Sequence, residues 1–237
     1  MGYRNYNIYI HSSDLDAVEL GLIAIFEQEG YHRIPKLPLM PEYYNSYYGY
    51  TRRREDPRIL DSLRVAVIFP GGSGWAMMQT YPFDILSRLA PGSERPRLAG
   101  LTVELGCNAF QLNMYSGDTL ILLEANTDGQ VVFSGSSSGL HGTPEEIEKM
   151  IPKENEKERF RLIEVPEQIQ LILEDEEVWI VDQVEAIAAL LCGPSFDYYE
   201  DNASALVCFA NEPLERELEA LGAHILYFQG NTVSQLE

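Results

Sequence analysis

The segment from Thr102 to Gly135, TVELGCNAFQLNMYSGDTLILLEANTDGQVVFSG, restricts the fold more than any other part of the chain. Within it, Phe110, Leu112 and Met114 alternate with Gln111, Asn113 and Tyr115, the period-two pattern of a half-buried strand. Ser116-Gly117-Asp118 supplies a turn. The next run, Thr119 to Ala125, is almost continuously apolar through Leu120, Ile121, Leu122 and Leu123, which predicts a strand covered on both faces and placed centrally. Thr127-Asp128-Gly129 then sets Asp-Gly between apolar runs, a hairpin signal, and Val131 to Phe133 forms the third strand. Three strands joined by tight turns commit the chain to a sheet with antiparallel neighbours. A length of 237 residues with 45% hydrophobic content provides enough apolar side chains to cover it.

Before this meander, strand and helix signals alternate. Residues 5–11, NYNIYIH, predict a strand with Ile8 and Ile10 on one side. Ser13 and Asp16 make a capping-box variant, and Leu15, Val18, Leu22, Ile25 and Phe26 recur at helical spacing up to Gly30. Tyr31 to Ile34 returns as a short strand, so the opening is a β-α-β unit or a corner of an antiparallel sheet. Residues 35–60 lose all period and predict a long surface loop, in which YYNSYYGYTRRRED concentrates tyrosine and arginine. Leu63 to Phe69 and Trp75 to Tyr81 predict a hairpin around Pro70-Gly71-Gly72-Ser73-Gly74. That turn is not a phosphate loop, because no Lys-Ser or Lys-Thr follows its last glycine. Pro82 and Pro96 each open a short helix, the first carrying Ile85, Leu86 and Leu89, the second Leu98, Leu101 and Leu105 with a stop at Gly106.

After the meander, five of the six residues 135–140 are Gly or Ser, the composition of a flexible joint. Thr143 and Glu146 form a capping box with Pro144 at the first helical position, and the following PKENEKERFR is too charged for a core. Pro166 starts a helix through Ile169, Ile172 and Leu173, Glu174 to Glu177 makes a solvated acidic turn, and Val178 to Leu191 predicts a helix stopped by Cys192-Gly193-Pro194. A strand over Ala205–Ala210, a helix over Glu212–Leu221 and a strand ending at Phe228 close the chain. The fold expected is α+β: a mostly antiparallel sheet with a central meander packed by helices, plus a smaller helix-rich C-terminal lobe with two strands. Residues 1–136 make the sheet domain, 137–165 a charged linker and helix, and 166–237 the acidic lobe. Phe26, Val67, Leu112, Ile121, Leu123, Val132, Val181, Leu191, Val207 and Ile225 are expected in the core.

The net charge of −20 is distributed unevenly. Residues 1–100 hold 11 basic and 11 acidic side chains, whereas 101–237 hold 6 basic and 26 acidic. Such an excess favours solubility, repels nucleic acid and anionic membrane, and steers a basic partner. The catalytic inventory is thin. His11, His32, His141 and His224 fall one to an element, without the i+3, i+4 or C-x-x-C spacing that assembles a zinc site, so no metal or cofactor is expected. Cys107, Cys192 and Cys208 are an odd, widely spaced set in apolar settings and read as reduced buried thiols. No G-x-S-x-G elbow occurs. No apolar run reaches the roughly 18 to 20 residues of a membrane span, and no signal-peptide pattern opens the chain, so a cytoplasmic location is expected.

These observations favour a non-enzymatic interaction module. Its acidic C-terminal part would capture a basic protein, in an inhibitor, immunity-type or adaptor role, through Glu174, Asp175, Glu176, Glu177, Asp197, Glu200 and Asp201. Two other readings follow from other residues. The same carboxylates in a cleft between the lobes would serve acid/base catalysis, and Tyr47, Tyr48, Tyr50, Arg52, Arg53 and Arg54 would offer an aromatic and guanidinium surface to a small molecule or peptide.

Overall fold

Side-chain alternation along the strands decides the layering. In β1 (Arg4–Ile10), Ile8 and Ile10 point into one cluster of buried side chains and Tyr9 into another. In β5 (Leu63–Pro70), Val65, Val67 and Phe69 join Tyr9, while Ala66 and Ile68 join Ile8. All of these residues are buried, so the sheet is covered on both faces. The computed structural model describes residues 4–38, 40, 42–45, 50–53, 57–115, 119–137, 162–175, 177–192, 201–208 and 212–230.

The remaining strands of the main sheet are β2 (Tyr31–Ile34), β6 (Ala76–Tyr81), β7 (Ala109–Tyr115), β8 (Thr119–Ala125), β9 (Val131–Ser137) and β10 (His224–Gly230). They assemble in the order β2-β10-β5-β6-β1-β7-β8-β9, and each neighbouring pair is antiparallel. The α+β class that the sequence pattern indicates is therefore the observed one. The meander β7-β8-β9 forms one end of this sheet, with β8 next to the last strand, and the middle is occupied by β6 and β1. β1 and β2 run parallel four places apart, so α1 (Leu15–Gln28) carries the chain across β6, β5 and β10.

Two helices cover the first face. α1 buries Val18, Leu22 and Phe26, and α3 (Arg97–Leu105) buries Leu98 and Leu101. The cap of α1 is Asp14, one residue beyond Ser13, because its carboxylate accepts from the Ala17 amide at 3.0 Å. Gly21 permits the close approach of α1 and α3: a Cβ there would lie 2.8 Å from Leu105 Cδ2.

On the opposite face lie α4 (Glu167–Glu174), α5 (Ile180–Cys192), α6 (Asn202–Cys208) and α7 (Glu212–Ala220). Ile169 and Leu173, then Val184, Ile187, Ala188 and Leu191, then Leu206 and Val207, and finally Leu214 and Leu218 enter the same cluster as Tyr9 and Val67. Each large apolar side chain buried in this way contributes about 1.5–3 kcal/mol. These helices thus share one core with the sheet. The last strand, β10, is hydrogen-bonded between β2 and β5.

Three stretches differ from the expected ones. Residues 205–208 are helical rather than extended: Asp201 accepts from Ser204 N at 3.0 Å and Ser204 Oγ at 2.6 Å, which caps α6, and Ala203, Leu206 and Val207 then share one face. The C-terminal part accordingly contributes one described strand, not two, and that strand lies inside the main sheet. Residues 83–87 form turns, not a helix. The Tyr/Arg-rich segment is not patternless, since β3 (Glu42–Asn45) and β4 (Tyr50–Arg53) pair as a separate antiparallel hairpin, followed by α2 (Pro57–Ser62). Of the expected core, Phe26, Val67, Leu112, Leu123, Leu191 and Val207 are buried, while Ile121, Val132, Val181 and Ile225 are half-buried. The Thr143/Glu146 capping box, the charged run 152–161, residues 138–140 of the Gly/Ser joint and the Gly193-Pro194 stop lie outside the described residues.

Candidate functional site

The corner between α4 and α5 brings acid and exposed apolar surface together. α4 buries Ile169 and Leu173 at i, i+4, which turns Leu171 outward, 61% exposed, on the flank that also carries Glu174 and Asp175 at i+3 and i+4. At Asp175 the backbone leaves the helix for the extended region. The turn is then fixed twice. Asp175 Oδ1 accepts from the Glu177 amide at 3.0 Å, and the carbonyl of Asp175 accepts from Gln183 Nε2 at 2.6 Å. Gln183 is buried on α5, so it ties the acidic turn to that helix.

Trp179 follows this turn and is 77% exposed, with Val178 beside it at 39%. Its carbonyl accepts from the Gln183 amide at 3.0 Å, so Trp179 holds the position just before the first residue of α5. Ser, Thr, Asp or Asn there would cap the helix, and tryptophan cannot. A large aromatic therefore stands in water at a place where a small polar residue would stabilise the fold more. Glu174 and Asp175 sit at the carboxyl end of α4, the negative end of its dipole, which is also the less favourable end for acids. Glu177 and Asp182 flank the amino end of α5 and gain from its dipole, which offsets part of that cost.

The electrostatic setting is one-sided. Residues 162–215 include 13 acidic side chains and no Lys, Arg or His. On α4, the connecting turn and α5, the exposed Glu167, Glu174, Asp175, Glu177, Asp182 and Glu185 make no ion pair with any described residue. Near the other face of the sheet three acids are matched: Glu19 with Arg33 at 2.6 Å, Glu29 with Arg97 at 2.5 Å and Asp84 with Arg88 at 2.8 Å.

Several of the residues singled out from sequence fall at or near this corner. Glu174 accepts from Gln170 at 2.9 Å on the exposed surface of α4, and Asp175 and Glu177 are likewise exposed. Glu176, Asp197 and Glu200 lie outside the described residues. Asp201 is half-buried and committed to capping α6, and burial raises its carboxyl pKa against the lowering effect of the Ser204 bonds. Of the Tyr/Arg set, Tyr50, Arg52 and Arg53 belong to β4, with Arg52 opposite Tyr43 and Arg53 opposite Glu42, whereas Tyr47, Tyr48 and Arg54 lie outside the described residues. β4 packs against α6. Trp179 is the site residue that helical periodicity concealed, because it reads as the opening of an apolar helix. The signal available was an aromatic two residues after a four-acid run, in a stretch where residues 162–195 contain no other aromatic.

Elsewhere, one chain of buried polar side chains links a helix to the sheet. Under α6, Asn202 donates from N and Nδ2 to Gln79 Oε1, both at 3.0 Å, Gln79 Nε2 donates to Asn7 Oδ1 at 3.1 Å, and Asn7 Nδ2 reaches Tyr9 Oη at 3.4 Å. This buried chain orients α6 on the sheet. The three cysteines are free but half-buried, not buried as their apolar settings indicate, and partial burial still pushes the Cys107 thiol up to about 11 and the Cys192 thiol up to about 12, far from the range of a reactive nucleophile. One group among the described residues has the composition of a cation site: Asp16, Glu19 and His224, whose ligand atoms all lie within 4.8 Å of one another. No helix among the described residues is long and apolar enough to cross a membrane. No protein-family model, curated protein or solved structure matches this chain.

Proposed function

We propose that the protein is a non-enzymatic interaction module that binds a basic protein segment at the α4–α5 corner. The observation that carries this reading is Trp179, 77% exposed and flanked along the chain by the exposed Glu174, Asp175, Glu177 and Asp182. Tryptophan is among the residues that most often dominate an interface, because it buries a large rigid area at little entropic cost. The surrounding acids supply orientation and a fast encounter, and that attraction is screened over about 8 Å at physiological ionic strength. A partner suited to this corner presents lysine or arginine around one or two aliphatic side chains. The buried Gln183 bond keeps the corner in one shape before any partner arrives, which lowers the cost of ordering it.

Tryptophan emission provides the test. The chain has two tryptophans, Trp75 buried in the core and Trp179 in solvent. Titration with a 15-residue Lys/Arg peptide containing two central leucines should shift the emission to the blue and saturate at one peptide per chain. The same peptide with glutamate in place of its cations should leave the spectrum unchanged. A titration in which the neutral Leu-containing peptide and the cationic one behave alike would remove the electrostatic part of the proposal. One in which neither perturbs Trp179 would remove the site.

A further inference from the structure

We infer that Asp16, Glu19 and His224 form a binding site for a borderline divalent transition cation of the zinc type, on the face of the sheet opposite the α4–α5 corner. Asp16 and Glu19 are i, i+3 on the first turns of α1, so their carboxylates emerge side by side. His224 is the first residue of β10, and its register neighbours Leu226 and Phe228 enter the same core as α1. The strand parity therefore brings the imidazole up beneath the helix. His224 Nδ1 lies 3.0 Å from Glu19 Oε2 and 3.9 Å from Asp16 Oδ1.

These separations suit a small cation. Zinc bonds of about 2.0–2.1 Å in tetrahedral geometry place neighbouring ligand atoms roughly 3.3 Å apart, between the two distances observed. Closure needs a small movement of Asp16, whose side chain is 88% exposed and free to make it. Glu19 is already oriented: Arg33 Nη1 holds its Oε1 at 2.6 Å and leaves Oε2 directed at the imidazole. Outer contacts of this kind on a ligating carboxylate are a regular part of metal sites. One imidazole nitrogen with two carboxylate oxygens selects zinc, cobalt or nickel over magnesium or calcium, which take oxygen donors. Three protein ligands leave the remaining position to water. The amino end of α1 disfavours a cation, and two carboxylate charges in its first turns outweigh that half charge.

The histidine spacing in the sequence contains no trace of this group, since His224 lies more than 200 residues from Asp16 and Glu19 and meets them only because β10 returns to the sheet beside α1. Calorimetric titration of the full chain with zinc chloride at pH 7 should show one saturable event per chain. His224→Ala and, separately, Asp16→Asn should weaken it by about tenfold or more, the smallest effect expected from loss of a direct ligand. Cobalt should compete for the event and acquire visible absorption bands, and magnesium should not compete. Asp16 is exposed and outside the core, so Asp16→Asn tests the site even if His224→Ala loosens β10. Equal zinc binding by both variants and the unaltered chain would assign the cation to carboxylates elsewhere and overturn the inference, as would the absence of any saturable event. The peptide titration at Trp179 is independent of either result.

Discussion

The side-chain amide of Gln183, buried on α5, donates to the backbone carbonyl of Asp175 at 2.6 Å. This bond crosses from the second turn of one helix to the carboxyl end of the preceding one, and it sets how the acidic turn and Trp179 stand relative to each other. Gln183→Leu fills the same space without the donor. It should cost about 1 kcal/mol of stability, the usual net worth of one hydrogen bond. It should also raise amide hydrogen exchange across 175–179 and weaken peptide binding at Trp179. Unchanged exchange in that turn would show that Gln183 does not hold it.

Trp179→Ser separates function from folding. Serine can cap α5 where tryptophan cannot, so thermal stability should be unchanged or slightly higher. Affinity for the cationic peptide should fall by about 30-fold, equivalent to the 2 kcal/mol typical of an interface anchor. A large loss of stability would mean that the exposed ring packs against the body of the protein.

Glu29 and Arg97 form a bidentate pair joining the end of α1 to the start of α3, at 2.5 and 2.9 Å, with each side chain 9% exposed. Removing one partner strands the other charge in the core. Glu29→Gln or Arg97→Met alone should cost about 3–5 kcal/mol, and the double variant Glu29→Leu with Arg97→Met should cost much less than either. Urea denaturation of the three variants measures this directly, and additive losses would contradict it.

Asp201 illustrates an acid whose role is local. Asp201→Ala should lose about 1 kcal/mol through the open end of α6. Asp201→Asn keeps the cap and removes the cost of desolvating a carboxylate, so it should match or exceed the parent in stability at pH 7. The sign follows from the raised pKa: the folded state holds the proton more tightly than the unfolded one, so this group's contribution is full below the unfolded pKa and is lost as pH rises through the folded value.

The half-buried thiols of Cys107 and Cys192 impose the same sign at the alkaline end. Their pKa values stand at about 11 for Cys107 and about 12 for Cys192, above the ordinary value of 9.0. The unfolded chain therefore loses these protons first, and stability should fall as pH rises from 9 toward 12. Chemical denaturation at successive pH values checks this, and replacement of both cysteines by alanine should flatten the decline.

Local chemistry made much of this architecture readable. The strand of Phe110, Leu112 and Met114, the Asp128-Gly129 turn and the Gly106 stop each depend on neighbouring residues, and each appears where the pattern indicates, although the strand is not half-buried: helices cover both faces, so Gln111 and Asn113 are buried as well. What stayed hidden depends on contacts between distant segments. Ala205 to Cys208 has strand-like composition, yet the Asp201 cap and the Asn202–Gln79 bonds draw it into a helix. The place of β10 between β2 and β5 is set by pairing across most of the chain. The acidic turn was legible because charge is local. The exposure of Trp179 was not, because apolar composition alone cannot tell which side of a helix start faces water.

The most direct test of the central claim compares charge removal at two acidic places. Glu174→Gln, Asp175→Asn and Glu177→Gln together remove three charges beside Trp179, and Glu217→Gln with Glu219→Gln removes two from the exposed surface of α7. Titration of both variants with the cationic Lys/Arg/Leu peptide, at low salt and again at physiological ionic strength, should show binding lost only in the first, with salt sensitivity reduced alongside it. Equal weakening in the two variants would mean that the peptide responds to net charge alone, and the α4–α5 corner would no longer be a site.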